Sequence, residues 1–146
     1  VIKQLYFPSN NEFYEKYKMN HNIVLYHCIS GYPIAFEDIC LLEIARLKKH
    51  YGDKVKSIGF SGHHKGIAID IAAYTLGAKW IERHFTLDRT WKGTDHAASL
   101  EPDGLRRLKR DLIETYKALK FKDVDFLEVE KKQAKKLRWD RNKLNI

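Results

Sequence analysis

Cysteine, methionine and long apolar runs are scarce in this 146-residue sequence. Its two cysteines, Cys28 and Cys40, match neither a C-x-x-C motif nor a disulfide framework, so we expect two buried free thiols. No stretch approaches the roughly 18 apolar residues of a membrane span, and no charged-then-apolar leader precedes the first predicted strand. These absences predict a soluble, cytoplasmic protein that has neither disulfides nor a membrane partner.

Acidic residues are outnumbered by basic ones, and the excess lies in the C-terminal tail. The formal net charge is +8, but residues 131–146 hold seven Lys or Arg and one Asp, which leaves only +2 for everything before them. A basic tail can bind nucleic acid or an acidic surface. A solvated helix end or a linker is the simpler interpretation, and we do not expect nucleic acid as a partner.

The length is sufficient for one domain with a real core. With 44% hydrophobic residues, the chain can bury such a core, but it is short of the roughly 250 residues of a complete α/β barrel. It also opens with Val-Ile-Lys rather than Met. We therefore expect one domain that is incomplete at its N-terminal side.

Strands and helices are predicted to alternate at short period. Apolar and β-branched runs predict strands at 22–27, 57–61 and 79–85, and helical spacing of apolar residues predicts helices at 9–20, 37–50, 66–76, 102–120 and 127–137. The first strand lacks clean alternation, which is typical of a strand covered on both faces. The pattern predicts βαβ units and a parallel sheet with open edges. Open edges favour pairing with other copies or with a missing half of the protein.

Polar side chains gather where the predicted strands end. Ligands bind at the carboxyl ends of strands in parallel α/β sheets. The candidates there are Ser30 and Tyr32 after the first strand, Ser61 and His63 after the second, and Glu82, His84 and Asp95 at or beyond the third. Glu82 and His84 are two residues apart, so their side chains leave the strand on the same side.

Two histidines in this set could bind one metal ion. His63 and His84 end neighbouring strands, which lie about 4.8 Å apart in a sheet. Two nitrogen ligands leave coordination positions open for water and substrate, as catalytic sites require. On geometry alone, two ordinary hydrogen-bonding histidines remain the commoner interpretation. His64 and His96 have weaker claims.

The other candidates each have two interpretations. Ser61 precedes a glycine-containing turn into a helix and can offer its hydroxyl to a phosphate, but alone it is a weak signal. Asp95 can accept hydrogen bonds from sugar hydroxyls, although a loop Asp is more often a turn or helix-cap residue. Tyr32, before Pro33, can equally be an aromatic packed at the rim of the site.

These residues resemble the sialic acid synthase family, the phosphoenolpyruvate-condensing enzymes that make N-acetylneuraminate and related nonulosonates. The similarity covers roughly residues 23–119. Its motifs are Leu25-Tyr26-His27-Cys28, Tyr32-Pro33, Glu37-Asp38, Phe60-Ser61-Gly62-His63 with Gly66, Gly77-Ala78 and, above all, the stretch 81–102.

The resemblance implies an α/β fold that is a partial (β/α)8 TIM-type barrel. Residues 1–127 would supply roughly its last three β/α units, and residues 128–146 would form a basic helical tail or linker. A divalent ion is implied too, typically Mn²⁺, with Mg²⁺ or Co²⁺ as alternatives. In such enzymes the ion polarises the aldehyde of open-chain N-acetylmannosamine, C3 of phosphoenolpyruvate attacks it, water adds at C2, and phosphate leaves by C–O cleavage.

The resemblance also assigns roles to the candidate residues. It implies that His63 and His84 bind the metal, that Glu82 is a site carboxylate, that Ser61 helps to hold the phosphate, that Asp95 and Tyr32 face the sugar, and that Ser30 contacts a substrate. The chain departs from the family pattern at three positions. Gly62 stands where the family usually has Asp, His64 where it has Thr, and Ser30 where it has Asn. Loss of the Asp could remove a partner of the metal ligands.

Two parts of the family's enzymes have no counterpart in this sequence. These are the first half of the barrel, with its catalytic glutamate and phosphate-binding lysines, and the C-terminal antifreeze-like domain. Two hypotheses follow. The chain carries the metal-binding part of a synthase whose other half comes from elsewhere, or it is a non-catalytic fragment or degenerate paralogue that binds metal or phosphate without turnover.

Overall fold

The computed structural model describes residues 22–137, and within them it has one parallel three-stranded sheet and four α-helices. The strands are β1 (Val24–Cys28), β2 (Ser57–Gly62) and β3 (Trp80–Arg83), and the helices are α1 (Glu43–Tyr51), α2 (Ala68–Thr75), α3 (Pro102–Ala118) and α4 (Glu128–Leu137). Short 3-10 turns lie at Phe36–Asp38 and His96–Ala98. The strand order is β1-β2-β3, with both pairs parallel. The predicted parallel α/β arrangement is confirmed; the helix predicted at 9–20 lies outside the described residues.

The register of the strands separates the sheet into two faces. Because side chains alternate along a strand, residues at paired positions point to the same side. The helix face consists of Leu25, His27, Ile58, Phe60, Ile81 and Arg83, and the open face of Tyr26, Cys28, Gly59, Ser61, Trp80 and Glu82.

The hydrophobic core lies between the helix face and helices α1 and α2. Its buried members are Leu25, Ile39, Ile44, Val55, Ile58, Phe60, Ala73 and Ala78. Ile44 of α1 and Ala73 of α2 are completely inaccessible to solvent. Burying one large aliphatic side chain contributes about 1.5–3 kcal/mol, so this layer is the main source of stability for the strands.

The open face is covered less completely. Tyr26 and Glu82 are half-buried, while Cys28 and Trp80 are exposed. We expected β1 to be covered on both faces. Its side chains on the helix face are buried, but those on the open face are only partly covered. Tyr26 lies flat over Gly59, where an added Cβ would come within 2.6 Å of the ring, so β2 needs glycine at this position.

The helix predicted at 37–50 begins later than expected. The chain forms the 3-10 turn at Phe36–Asp38, passes through Cys40 at φ +49°, and enters α1 only at Glu43. A residue in the left-handed region cannot continue a right-handed helix. The carbonyl of Ile39 instead accepts a hydrogen bond from His27 Nε2 of β1 at 2.7 Å. This long-range contact cannot be inferred from the helical spacing of apolar residues in the sequence.

The prediction that both cysteines are buried is wrong. Cys28 and Cys40 are free thiols, as expected, but both are exposed. Cys28 is the last residue of β1 and points to the open face, and Cys40 lies in the break before α1 rather than inside a helix. No helix within residues 22–137 is long and apolar enough to cross a membrane.

Candidate metal and substrate site

Three aromatic rings meet at the carboxyl edge of the sheet. The ring centroid of His63, just after β2, lies 5.1 Å from that of His84, just after β3. Tyr32, in the loop after β1, places its ring 4.4 Å from His63 and 5.5 Å from His84. The fold therefore brings together three of the residues singled out from the sequence, one from the end of each strand. Tyr32 is both a rim aromatic and a neighbour of the two imidazoles.

His63 is held in one orientation by the loop after β1. Its Nδ1 lies 3.0 Å from the carbonyl oxygen of Ile29, and its own carbonyl accepts a hydrogen bond from the Ile34 backbone N–H at 3.1 Å. A carbonyl oxygen can only accept, so Nδ1 carries the proton and Nε2 keeps a lone pair. Histidine ligands of metals are usually fixed in this way.

The electrostatic environment of His63 favours its neutral form. Burial lowers the pKa of His63 below its usual value, and the neighbouring His84 acts in the same direction. The Ile29 carbonyl and the Glu82 carboxylate oppose this shift without overcoming it. At neutral pH the Nε2 lone pair of His63 is therefore available to a cation.

His84 is positioned by its backbone and by Asp95. β3 ends at Arg83, two residues short of the predicted end, and just beyond it the His84 carbonyl accepts from the Leu100 N–H at 2.8 Å, beside a parallel bridge between Phe85 and Leu100. The His84 ring is about one-third exposed, and its Nδ1 lies 3.7 Å from Asp95 Oδ2. The carboxylate can thus orient the ring and leave Nε2 free, although the distance is longer than a direct hydrogen bond.

Asp95 combines the two interpretations considered from its sequence. Its backbone occupies the cap position of the 3-10 turn His96–Ala98, but its side chain makes no capping hydrogen bond. The exposed carboxylate accepts a hydrogen bond from Thr94 Oγ1 at 2.9 Å and faces His84. The carboxylate is therefore accessible to a ligand, and its role in sugar binding stays a prediction.

Ser61 and Glu82 are joined on the open face. The buried Ser61 hydroxyl donates to Glu82 Oε1 at 2.7 Å. Burial raises the pKa of the Tyr26 hydroxyl, and the charge of Glu82 adds to that effect. Because the Ser61 proton is given to Glu82, the hydroxyl must rotate before it can donate to a phosphate. The phosphate-binding role of Ser61 stays a prediction, as does the substrate contact of Ser30, which is exposed in the loop after β1.

The donor set at this edge has too few ligands for a structural metal site. Within residues 22–137, no group of three or more His, Cys, Asp or Glu side chains has an arrangement that could hold a metal ion. The two imidazoles, each with Nδ1 directed to an oxygen, are the nitrogen donors that the site offers. Further ligands would have to come from solvent, substrate or another segment.

A buried ionic cluster behind the site is absent from the sequence predictions. Arg83, between Glu82 and His84, points to the helix face and donates from Nη1 to Asp70 Oδ2 of α2 at 2.5 Å. The His64 ring lies beside them, with Nε2 3.2 Å from Arg83 Nη1 and 3.4 Å from Asp70 Oδ2. The sequence feature that could have indicated this cluster is Asp70, the one charged residue in the apolar run Ala-Ile-Asp-Ile-Ala-Ala.

The contacts of His64 and His96 indicate that both side chains support the fold. His64 is completely buried, and an added Cβ at Gly62 would lie 2.8 Å from its Cε1 atom. The two departures from the family pattern at these positions are thus in contact, and the His64 ring occupies space beside Gly62. His96 Nδ1 lies 2.8 Å from the buried Thr86 hydroxyl, which ties the loop after β3 together.

Comparison with known proteins gives a consistent set of relatives. The chain is 48% identical over 101 residues to N-acetylneuraminate-9-phosphate synthase of Homo sapiens, a match that covers 69% of this chain and 28% of the human protein. It is 43% identical over 99 residues to N,N'-diacetyllegionaminic acid synthase of Campylobacter jejuni, covering 67% of this chain and 28% of that one. The chain thus spans less than a third of either relative.

Comparison with solved structures and with protein families agrees with these matches. The crystal structure of N-acetylneuraminic acid (sialic acid) synthetase from Leptospira borgpetersenii, in complex with citrate, superposes with a TM-score of 0.63 at 36% identity, covering 83% of this chain and 40% of that one. The sequence profile of the NeuB family matches residues 7–123, which is most of the chain. The chain is therefore a member of the NeuB family, and the resemblance inferred from its sequence motifs is confirmed.

Proposed function

We propose that this chain carries the metal-binding part of the active site of a nonulosonic acid synthase. The reaction would condense phosphoenolpyruvate with N-acetylmannosamine or a related N-acyl sugar and release phosphate. The observation that carries the proposal is the pair His63 and His84 at the carboxyl edge of a parallel sheet in a NeuB-family chain. The relatives' names include neuraminate, legionaminate and pseudaminate synthases, which supports this product class without selecting one sugar.

His63 and His84 would hold the cation, most simply Mn²⁺, with Mg²⁺ or Co²⁺ as alternatives. Such an ion supplies Lewis-acid activation of a substrate carbonyl when it is bound. The chain's own contribution is to present two Nε2 lone pairs, since Nδ1 of His63 donates to the Ile29 carbonyl and Nδ1 of His84 faces Asp95. Holding both rings in advance spares the entropy of ordering them on binding.

The remaining site residues would position the substrates. Tyr32 packs against both imidazoles and can exclude water from one side of the pair. Asp95 presents an accessible carboxylate oxygen to sugar hydroxyls, and Ser61 and Glu82 place a hydroxyl and a carboxylate on the open face beneath them. In this proposal Glu82 is a site carboxylate that can accept or hold a proton, and Ser30 and Ser61 contact substrate.

The sheet would be part of a (β/α)8 barrel, supplying roughly its last three β/α units. Support comes from the parallel order β1-β2-β3 and from the further parallel bridge between Phe85, just after β3, and Leu100. A groove between β3 and α3 is lined by apolar side chains, including Ile81, Leu108 and Leu112. The remaining strands of the barrel would be supplied from outside residues 22–137, and the protein would be cytoplasmic. Domain limits of 1–127 and 128–146 fit the start of α4 at Glu128.

Metal binding can be tested directly on this chain. Calorimetric titration with Mn²⁺ should show one site for the wild type, and His63→Ala should abolish it. His50→Ala is the matched control, because His50 is an exposed histidine at the end of α1, away from the sheet edge. Unchanged Mn²⁺ binding by His63→Ala would remove the metal assignment.

Catalysis needs the parts of the enzyme that this chain does not span. Residues 22–119 can be grafted into the human N-acetylneuraminate-9-phosphate synthase in place of the matching segment. Phosphate release from phosphoenolpyruvate is then measured with that enzyme's own sugar substrate and Mn²⁺. We expect an active graft that loses activity on His63→Ala. A folded but inactive graft would favour the non-catalytic fragment or degenerate paralogue.

A further inference from the structure

The spacing of His63 and His84 has to be fixed by something other than contact between the two rings. Within the described residues, no hydrogen bond joins the rings, which meet only edge to face at 5.1 Å. The Ile29 carbonyl fixes the orientation of His63 alone, and Asp95 approaches His84 at 3.7 Å from an exposed loop. Tyr32 contacts both rings, and the pairing of Gly62 with Arg83 joins the strands just before the two histidines, but neither contact involves the segment that follows His63.

The Arg83 side chain adds a further connection between these segments from behind the sheet. Its Nη2 donates to the carbonyl of His64 at 2.7 Å and to that of Ala98 at 3.2 Å. Its Nη1 donates to the carbonyl of Gly66 at 2.8 Å. One guanidinium therefore ties the segment after β2, which begins with His63, to the 3-10 turn after β3.

The position of Arg83 in the chain makes this tie relevant to both histidines. Arg83 immediately precedes His84, and the carbonyl that it binds belongs to the residue immediately after His63. A shift of the segment after β2 relative to β3 would move one imidazole against the other. A planar group with several fixed donors resists such a shift better than a single contact does.

Burial makes the tie stiff. The Arg83 side chain is 3% exposed and the Asp70 side chain 0% exposed, and the two are joined at 2.5 Å. A guanidinium in this position has little access to water, so breaking its bonds to the three carbonyls would leave polar groups buried without partners.

We propose that Arg83 is a positioning residue that sets the distance between His63 and His84 by clamping the segment after β2 to the turn after β3. The inference rests on the proposed function for the meaning of that distance. The distance between the two rings can be measured without metal or substrate. This inference can therefore hold or fail independently of the proposed function.

The variants should remove the clamp without leaving a buried charge. Asp70→Asn combined with Arg83→Met removes both members of the ion pair and keeps side chains of similar length. Arg83→Lys keeps the charge beside Asp70 but loses the fork of donors. Arg107→Met is the matched control, because Arg107 is an exposed arginine of α3 that pairs with Asp103.

The readouts are the nuclear Overhauser effect between the His63 and His84 ring protons in the metal-free chain, and the Mn²⁺ dissociation constant from calorimetry. Contacts between Ile44 and Phe60 report whether the core is intact. In the double variant with an intact core, we expect loss of the His63–His84 effect and at least about a tenfold weaker Mn²⁺ affinity. The control should match the wild type, and Arg83→Lys should lie between them.

An unchanged His63–His84 effect in a double variant with an intact core would overturn the proposal. If the double variant loses its core contacts, Arg83→Lys decides by the same measurement: a weakened effect supports the clamp and an unchanged one overturns it. If the wild type binds no Mn²⁺, the metal part of the proposed function fails. The ring-to-ring measurement still supports or overturns the role of Arg83.

Discussion

At the carboxyl edge, the polar side chains on the two faces of the sheet differ in how completely they are hydrogen-bonded. On the helix face, Arg83 and Asp70 are buried and bonded to each other, and Arg83 also donates to backbone carbonyls. On the side of the open face, His63 and His84 each direct one nitrogen to an oxygen and keep the other available. One face uses its hydrogen-bonding capacity within the fold, and the other leaves part of it unused within the described residues. Substitutions on the first face should therefore cost stability first and affect binding only through the positions of the histidines, whereas those on the second should cost binding with little loss of stability.

Arg83→Met should have the largest effect on stability. It leaves the Asp70 carboxylate buried without its cation, and breaking one side of a buried ion pair costs about 3–5 kcal/mol. Urea denaturation followed by circular dichroism measures the change in free energy of unfolding. The exposed Arg107→Met should be indistinguishable from wild type. A loss below about 1 kcal/mol for Arg83→Met would mean that the pair is not desolvated.

Gly62→Ala should be the next most damaging change. The added Cβ would lie 2.8 Å from His64 Cε1 and 2.9 Å from Phe60 Cε1, and overpacking of this kind costs about 1–3 kcal/mol. Combining it with His64→Ala should cost less than the sum of the two single changes, because the smaller side chain makes room. Strict additivity in denaturation experiments would contradict the contact between residues 62 and 64.

His84→Ala should give the reverse pattern. The half-buried ring makes no bond to the core, so the free energy of unfolding should fall by no more than about 1 kcal/mol. Its Mn²⁺ affinity should fall at least about tenfold, since one of two nitrogen ligands is removed. Denaturation and calorimetry on the same sample test both parts. If His84→Ala instead lost much stability and bound Mn²⁺ normally, His84 would have a structural role and the contrast between the two faces would be wrong.

Glu82→Gln should produce the smallest effect, a spectroscopic one. The pKa of Tyr26 is raised first by burial and second by the Glu82 charge, so removing the charge should lower that pKa while leaving it above the ordinary value. Loss of the negative charge makes the tyrosinate easier to form, so the pKa of Tyr26 should fall. Ultraviolet titration of tyrosinate, with Tyr26→Phe to assign the signal, measures it. An unchanged pKa would mean that the Glu82 charge does not act on Tyr26.

The sequence was sufficient for the features that depend on local pattern. Alternation and strand spacing placed His63 and His84 at one edge, and the family motifs identified the family. Cys40 was misassigned because a left-handed residue can interrupt a stretch whose apolar spacing looks continuous. The role of Arg83 was missed because its carbonyl partners carry no side-chain signal. Contacts to backbone atoms far along the chain cannot be inferred from residue types.

The exposure of the two thiols provides two internal probes of assembly. Cys28 points to the open face beside Ser61, whereas Cys40 lies in the break before α1. A polypeptide that completes the sheet over its open face would shield the first thiol and leave the second accessible to alkylation. Mass spectrometry of alkylated peptides can therefore map coverage of that face on the unmodified sequence. Equal labelling of both cysteines in the assembled protein would mean that the partner binds elsewhere.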